Sequence, residues 1–130
     1  MKVAISLLLW CASATAAPLP LAAQIIACES SGQHLKQGRL NCNETEPNGK
    51  RSCGIAQFQL ATFRDFRQRA HMERLQWTSE HDQLVLLKWS LIHHLAGHWS
   101  CYRKIEQGKW KMTADLDRAI RNNPTVMSMR

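Results

Sequence analysis

The sequence predicts a small, mainly α fold with at most one short hairpin. Three observations lead there. Apolar residues recur every three or four positions in several stretches, as on the buried face of a helix. No stretch sustains the alternation of a half-buried strand. The one long polar segment, residues 33–53, carries Gly38, Pro47, Asn48 and Gly49, the residues of turns and loops. The chain has 130 residues, 45% apolar and 21% charged, which suits one globular domain.

The N-terminus is read separately. Met1-Lys2 is followed by an apolar core over residues 3–12 and then by the small residues of SATAAP, with Ala14 and Ala16 in an A-x-A pattern. This is the pattern of a secretory leader, cleaved after Ala16. No later run is apolar over the roughly 18 residues that a membrane span needs, so no stable span is expected once the leader is gone. The chain should then be exported, to a periplasmic or extracellular space. Cys11 leaves with the leader, and five cysteines become Cys28, Cys42, Cys53 and Cys101. An even number in an exported chain points to disulfides, and four cysteines allow about three connectivities. The expected pairing closes the loop NETEPNGKRS locally through Cys42 and Cys53. That leaves Cys28 for Cys101.

The first helix is expected over residues 20–31. Prolines suit its entry. Leu21, Ile25 and Cys28 share a face, and Ser31-Gly32 end it. Residues 33–53 follow as a loop or weak hairpin. GIAQFQLATFRDFRQRA reads as an amphipathic helix opening near Gly54, with Ile55, Phe58 or Gln59, Thr62 or Phe63, and Phe66 inward and Arg64, Arg67 and Arg69 on the polar side. The next helix has Thr78 or Ser79 as N-cap and Glu80 and Asp82 in its first turn. Leu84, Leu87, Leu91 and Leu95 make its stripe, and Gly97 is expected to stop it. MTADLDRAIRNN gives a weaker last helix. The chain is divided into a leader (1–16), a main domain (17–102) and a basic C-terminal extension (103–130).

Two short motifs carry chemistry. In IIACESSG, Glu29 lies one turn beyond Ile25 and Ile26. Apolar neighbours desolvate a carboxylate and raise its pKa, which keeps it protonated for general-acid work on a sugar leaving group. In SCGIAQFQLATF, Gly54 permits a close turn, and Gln57 is expected one turn into a helix. Its amide can donate to and accept from the N-acetyl and hydroxyl groups of a sugar.

Together, ESSG followed by GIAQFQLATF some 25 residues later, behind a leader, resembles the lysozyme-like lytic transglycosylases, most of all their short exported members. The resemblance covers roughly residues 20–102 and implies a lysozyme-like fold. It implies cleavage of the β-1,4 bond between N-acetylmuramic acid and N-acetylglucosamine in peptidoglycan. Glu29 would be the acid and then the base, and Ser30 its small polar neighbour. Gly54, Ile55 and Gln57 would match the family's Gly-Leu-Met-Gln motif, with Gln57 lining the sugar cleft. Asn48 stands where the family often has a substrate-contacting Ser. The family's Tyr-Asn-x-Gly motif is replaced by HHLAGHWSCY, so His94, Trp99 or Tyr102 would supply that cleft wall. The family chemistry needs one carboxylate, because the substrate's own N-acetyl and hydroxyl groups do the rest. A hydrolytic lysozyme using the same Glu29 would more often need a second, for which Glu44, Glu46 and Asp65 are the candidates. A reading of another class is a non-catalytic exported glycan-binding or envelope adaptor module.

The remaining features are weaker. His94, His98 and Cys101 have a helical metal-ligand spacing, but Gly97 interrupts it and no fourth ligand is evident, so no metal and no cofactor is expected. A net charge of +7 favours anionic partners. No recognition motif accompanies it, so nucleic acid is not among them. The expected partners are peptidoglycan strands and an envelope-spanning machine, met by a monomer.

Overall fold

A computed structural model describes residues 17–43 and 50–129. The expected leader, Glu44, Glu46 and Asn48 lie outside the described residues. The chain is mainly helical, with two small antiparallel hairpins.

Helix α1 (Leu21–Ser30) enters from Pro20 and ends where expected. Ser31 adopts the left-handed conformation (φ 55°), and its N–H donates to Ala27 O at 3.0 Å. Ala23, Ile25, Ile26 and Ala27 are buried along it. At Gly32 (φ +76°) a Cβ would lie 2.7 Å from Ile120 Cδ1, so only glycine lets the chain turn so close to the C-terminal part.

The polar segment forms a first hairpin, β1 (Leu35–Lys36) with β2 (Arg39–Leu40). Its two turn residues, Gln37 and Gly38, both have positive φ, as a type I′ hairpin requires. A second hairpin pairs β3 (Ser52–Cys53) with β4 (Phe58–Gln59) around a turn at 54–57. Here the sequence reading is corrected. No helix opens at Gly54, and α2 (Leu60–Arg69) begins six residues later. Gly54 (φ +82°) and Gln57 (φ 51°) are left-handed, which no helix tolerates. The intervening N–H groups find remote partners instead: Ile55 N–H donates to His34 Nδ1 (3.1 Å) and Ala56 N–H to Gln83 Oε1 (3.0 Å).

Helix α3 (Glu80–Ile92) has the expected cap, Ser79 Oγ accepting from Asp82 N–H at 3.2 Å. Its buried stripe runs through Gln83, Leu86, Leu87 and Ser90, with Leu84 beside it, so two polar residues sit on the inward face. It stops well before Gly97. His94 takes the left-handed position (φ 60°), Leu95 N–H reaches Ser90 O (2.9 Å) and His94 N–H reaches Leu91 O (3.3 Å). This is a Schellman ending with histidine where glycine is usual. Gly97 lies in a following 3₁₀ turn, Ala96–His98.

Two short helices were not anticipated: α4 (Ser100–Glu106) and α6 (Pro124–Met127). Between them α5 (Ala114–Arg121) is capped by Thr113. The proposed boundary after residue 102 falls inside α4. Ile120 and Val126 are buried in the same core as Ile25, Phe58, Phe66 and Leu87, so residues 103–129 are integral to the fold. Phe58 is its aromatic centre, edge-on to Phe63 (5.4 Å) and Trp99 (5.1 Å). Helix α1 contacts α3, α4 and α5. Both disulfides form as expected, Cys28–Cys101 joining α1 to α4 and Cys42–Cys53 joining the strand segment 41–43 to β3. Among the described residues no helix is long and apolar enough to cross a membrane.

Candidate active site

The left-handed exit of α1 delivers Glu29 to an open pocket of about 280 Å³. Gln57, Thr62, Trp99, His98 and Arg103 share its wall. Glu29 is half-buried, and its Oε1 accepts the N–H of Cys101 at 3.3 Å. Cys28, the residue before it, is covalently tied to that same Cys101. Carboxylate and α4 are therefore held together twice, by a crosslink and by a hydrogen bond. The expected flank is corrected: Ile25 and Ile26 are wholly inside the core. The apolar side chains lining the pocket beside Glu29 are Phe58 and Trp99.

Gln57 enters the pocket from the 54–57 turn, which is held from behind by buried polar side chains. Gln83, at 0% exposure, donates from Nε2 to Cys53 O (3.1 Å) and Trp77 O (2.7 Å) while accepting from Ala56. A Cβ on Gly54 would overlap this amide, which is the close approach that the glycine serves. His34 accepts from Ile55 at Nδ1 and meets Thr78 O through Nε2 (2.8 Å), an arrangement that requires the neutral Nε2–H tautomer. Asn41 O accepts from Gly54 N–H (2.7 Å) and Gln57 Nε2 (2.8 Å).

Gln57 is therefore not one turn into a helix. It is a strained turn residue whose Nε2 is spent on Asn41 O and Gly54 O, each at 2.8 Å. It still lines the pocket with Glu29, and its Oε1 is the amide atom left to meet a ligand there. Ser30 is also reassigned. It is buried, and its hydroxyl donates to Ile55 O at 2.6 Å, bracing the end of α1 against the turn. The Glu-Ser pair thus puts a carboxylate in the pocket and a strut behind it. Gly54 is buried for clearance and does not line the pocket.

The aromatic candidates separate. Trp99 is 4% exposed, its indole N–H held by Ala56 O at 2.7 Å, so it forms the pocket's floor and not a stacking face. Tyr102 packs against the core and does not line the pocket. His94 is exposed at the end of α3, outside it. His98 does line it, edge-on to Phe66 at 4.8 Å. Cys101 is in a disulfide and offers no thiolate to His94 and His98.

Among the described residues Glu29 is the only carboxylate in the pocket. Asp65, a candidate second acid, is on the exposed face of α2 beside Arg69 (3.4 Å). Sequence reasoning missed His34, Asn41, Gln83 and Arg103. Only Gln83 left a trace, as a polar residue on the apolar stripe of DQLVLL. Arg103 is held at the rim by donating to Gly97 O at 2.8 Å. What results is a polar pocket with one carboxylate that can give and take a proton, an amide oxygen and a cation.

No family model matches this chain, and neither does any curated protein or solved structure.

Proposed function

We propose that this protein is an exported lytic transglycosylase of lysozyme-like fold, cleaving the glycan strands of peptidoglycan. The observation that carries the reading is Glu29, alone as a carboxylate among the described pocket residues and lining the same pocket as Gln57. An ordinary glycosidase needs two carboxyl groups at a set separation. A single one suffices when the substrate supplies its own nucleophile. Glu29 protonates the glycosidic oxygen between N-acetylmuramic acid and N-acetylglucosamine as the bond to C1 breaks. The N-acetyl carbonyl of the substrate supports the electron-poor C1. The 6-hydroxyl of the same sugar then closes onto C1 and gives its proton to the Glu29 carboxylate, leaving a 1,6-anhydro end and restoring the acid. Gln57 Oε1 and Arg103 provide an acceptor and a donor for orienting sugar substituents. Two disulfides support export to the periplasm or beyond, where such bonds persist.

The test is digestion of purified peptidoglycan by the unaltered chain and by Glu29→Gln. Losing a general acid should slow strand release roughly 10²–10⁴-fold. Equal release by the two proteins refutes the assignment. Mass spectrometry of the fragments fixes the chemistry, since anhydro ends mark transglycosylation and reducing ends mark hydrolysis by a lysozyme. Binding to the strands without release of fragments by either protein identifies a glycan-binding or adaptor module.

A further inference from the structure

Ile55 is gripped on both sides by side chains from the segment that carries Glu29. Its carbonyl accepts from Ser30 Oγ at 2.6 Å, and its N–H donates to His34 Nδ1 at 3.1 Å. Ser30 directly follows Glu29, and the chain returns from α1 to His34 through a turn in which Gln33 N–H donates to Ser30 O at 3.0 Å. The far nitrogen of His34 donates to Thr78 O at 2.8 Å, anchoring the grip to the segment before α3. His34 also reaches Gln57 through its backbone. Its carbonyl accepts from Asn41 N–H at 2.9 Å, and Asn41 O accepts from Gln57 Nε2 at 2.8 Å. The buried imidazole is thus bonded toward both pocket residues while lying outside the pocket itself.

Four side chains from elsewhere hold the 54–57 turn: Ser30, His34, Gln83 and Trp99. Of these only an imidazole changes its hydrogen bonding between about pH 5 and 8. When neutral it offers Nδ1 as an acceptor and Nε2–H as a donor, and both are used. An added proton goes to Nδ1 and turns it into a donor that faces the donor N–H of Ile55. The bond to Thr78 O survives this, and the bond to Ile55 does not. The 54–57 turn carries no charged residue. The elements around the ring carry Glu29 at the end of α1, Lys36 and Arg39 on the first hairpin, and Glu80, His81 and Asp82 at the start of α3. Among the described residues the ring bonds to none of these. Glu29 accepts from Cys101 N–H, and Asp82 is engaged with Gln76 N–H (2.8 Å) and His81 (3.2 Å).

We propose that neutral His34 is a positioning residue for Glu29: by holding Ile55 N–H while Ser30 holds Ile55 O, it fixes the end of α1 against the turn that carries Gln57. Loss of the Nδ1 acceptor loosens that end, so cleavage declines as the surroundings acidify. This inference rests on the glycan reading of the Glu29 pocket and adds a regulation to it. The two groups act with opposite sign. Glu29 must be protonated to begin the reaction, so its ionisation cuts cleavage on the alkaline side. His34 must be neutral, so its protonation cuts cleavage on the acid side.

The experiment measures peptidoglycan cleavage per folded molecule from about pH 5 to 8 at constant ionic strength. It compares the unaltered chain with His34→Gln and with His98→Gln. The glutamine amide carries an acceptor and a donor and does not titrate. His98 is the comparison because it lines the pocket. The unaltered chain should lose roughly tenfold on the acid side, the scale of one buried hydrogen bond. His34→Gln should flatten that limb, and His98→Gln should keep it. An unaltered chain with no acid limb, a limb that survives His34→Gln, or a limb that His98→Gln removes overturns the inference and leaves the glycan reading intact. No cleavage by the unaltered chain at any pH overturns both. NMR of the unaltered chain adds a readout that needs no variant to fold. The Ile55 amide proton and the Glu29 carboxyl carbon should shift in step with the His34 ring as pH falls. Titration of the ring with the Glu29 carboxyl carbon unmoved also overturns the inference.

Discussion

Gly54 and Gln83 are a matched pair. The glycine is left-handed (φ +82°), and the Gln83 amide fills the space that a Cβ would take. Gly54→Ala should therefore cost about 3 kcal/mol, combining left-handed strain with overpacking against a buried amide. Gln83→Ala removes the clash but strips partners from Ala56 N–H, Cys53 O and Trp77 O, and should cost a similar amount. In urea unfolding the double variant should lose less than the sum of the two, because without the amide the added Cβ meets no clash. Strict additivity would mean that the amide does not set the glycine. At this scale the sequence was legible only in part. Glu29 and Gln57 stand out as short motifs. Ser30 passes for a polar neighbour until its hydroxyl is seen to brace Ile55 O. His34 and Asn41 carry no sequence signal, because their bonds join segments whose proximity only the fold creates.

The elements show the same division between local and remote causes. The start of α3 was legible because Ser79, Glu80 and Asp82 act within one turn. The helix expected from Gly54 failed because Gly54 and Gln57 are left-handed, in a turn braced by bonds from the N–H groups of Ile55 and Ala56 to side chains 21 and 27 residues away. The end of α3 was misplaced because histidine takes the position that glycine marks in most helices. Helix α2 ends in the same way: His71 (φ 55°) is left-handed, with Met72 N–H reaching Arg67 O at 2.8 Å. In α4 the equivalent residue is Gly108 (φ 65°), with Lys109 N–H on Lys104 O at 2.8 Å. A side chain in this conformation is strained, while glycine relieves the strain at some cost in unfolded-state entropy. His94→Gly should thus raise stability by about 0.5 kcal/mol, and Gly108→Ala should lower it by about 1 kcal/mol. Thermal unfolding of both variants checks the pair. Shifts of the same sign would refute the shared Schellman geometry.

For the whole molecule, α1 is the organising element: it contacts three other helices and carries the carboxylate at its end. That arrangement draws on residues 73 apart, since Cys28 and Cys101 hold α1 to α4 beside the Glu29–Cys101 hydrogen bond. The Cys42–Cys53 crosslink spans only 11 residues. A crosslink limits the freedom of the unfolded chain in proportion to the logarithm of the loop it closes. Replacing Cys28 and Cys101 with alanine should therefore cost about 4 kcal/mol, and replacing Cys42 and Cys53 about 3 kcal/mol. Against a typical total of about 5–15 kcal/mol, either loss is large, and the first leaves little margin. The two differ further in what they release. Without Cys28–Cys101 the N-terminus of α4 is free to move away from Glu29, so peptidoglycan cleavage per folded molecule should fall. Without Cys42–Cys53 the carboxylate keeps its covalent anchor to α4. Unfolding in urea, paired with cleavage rates measured well below each midpoint, separates stability from positioning. Unchanged cleavage per folded molecule in the Cys28→Ala, Cys101→Ala chain would show that packing of α1 against its neighbours positions Glu29 without the crosslink.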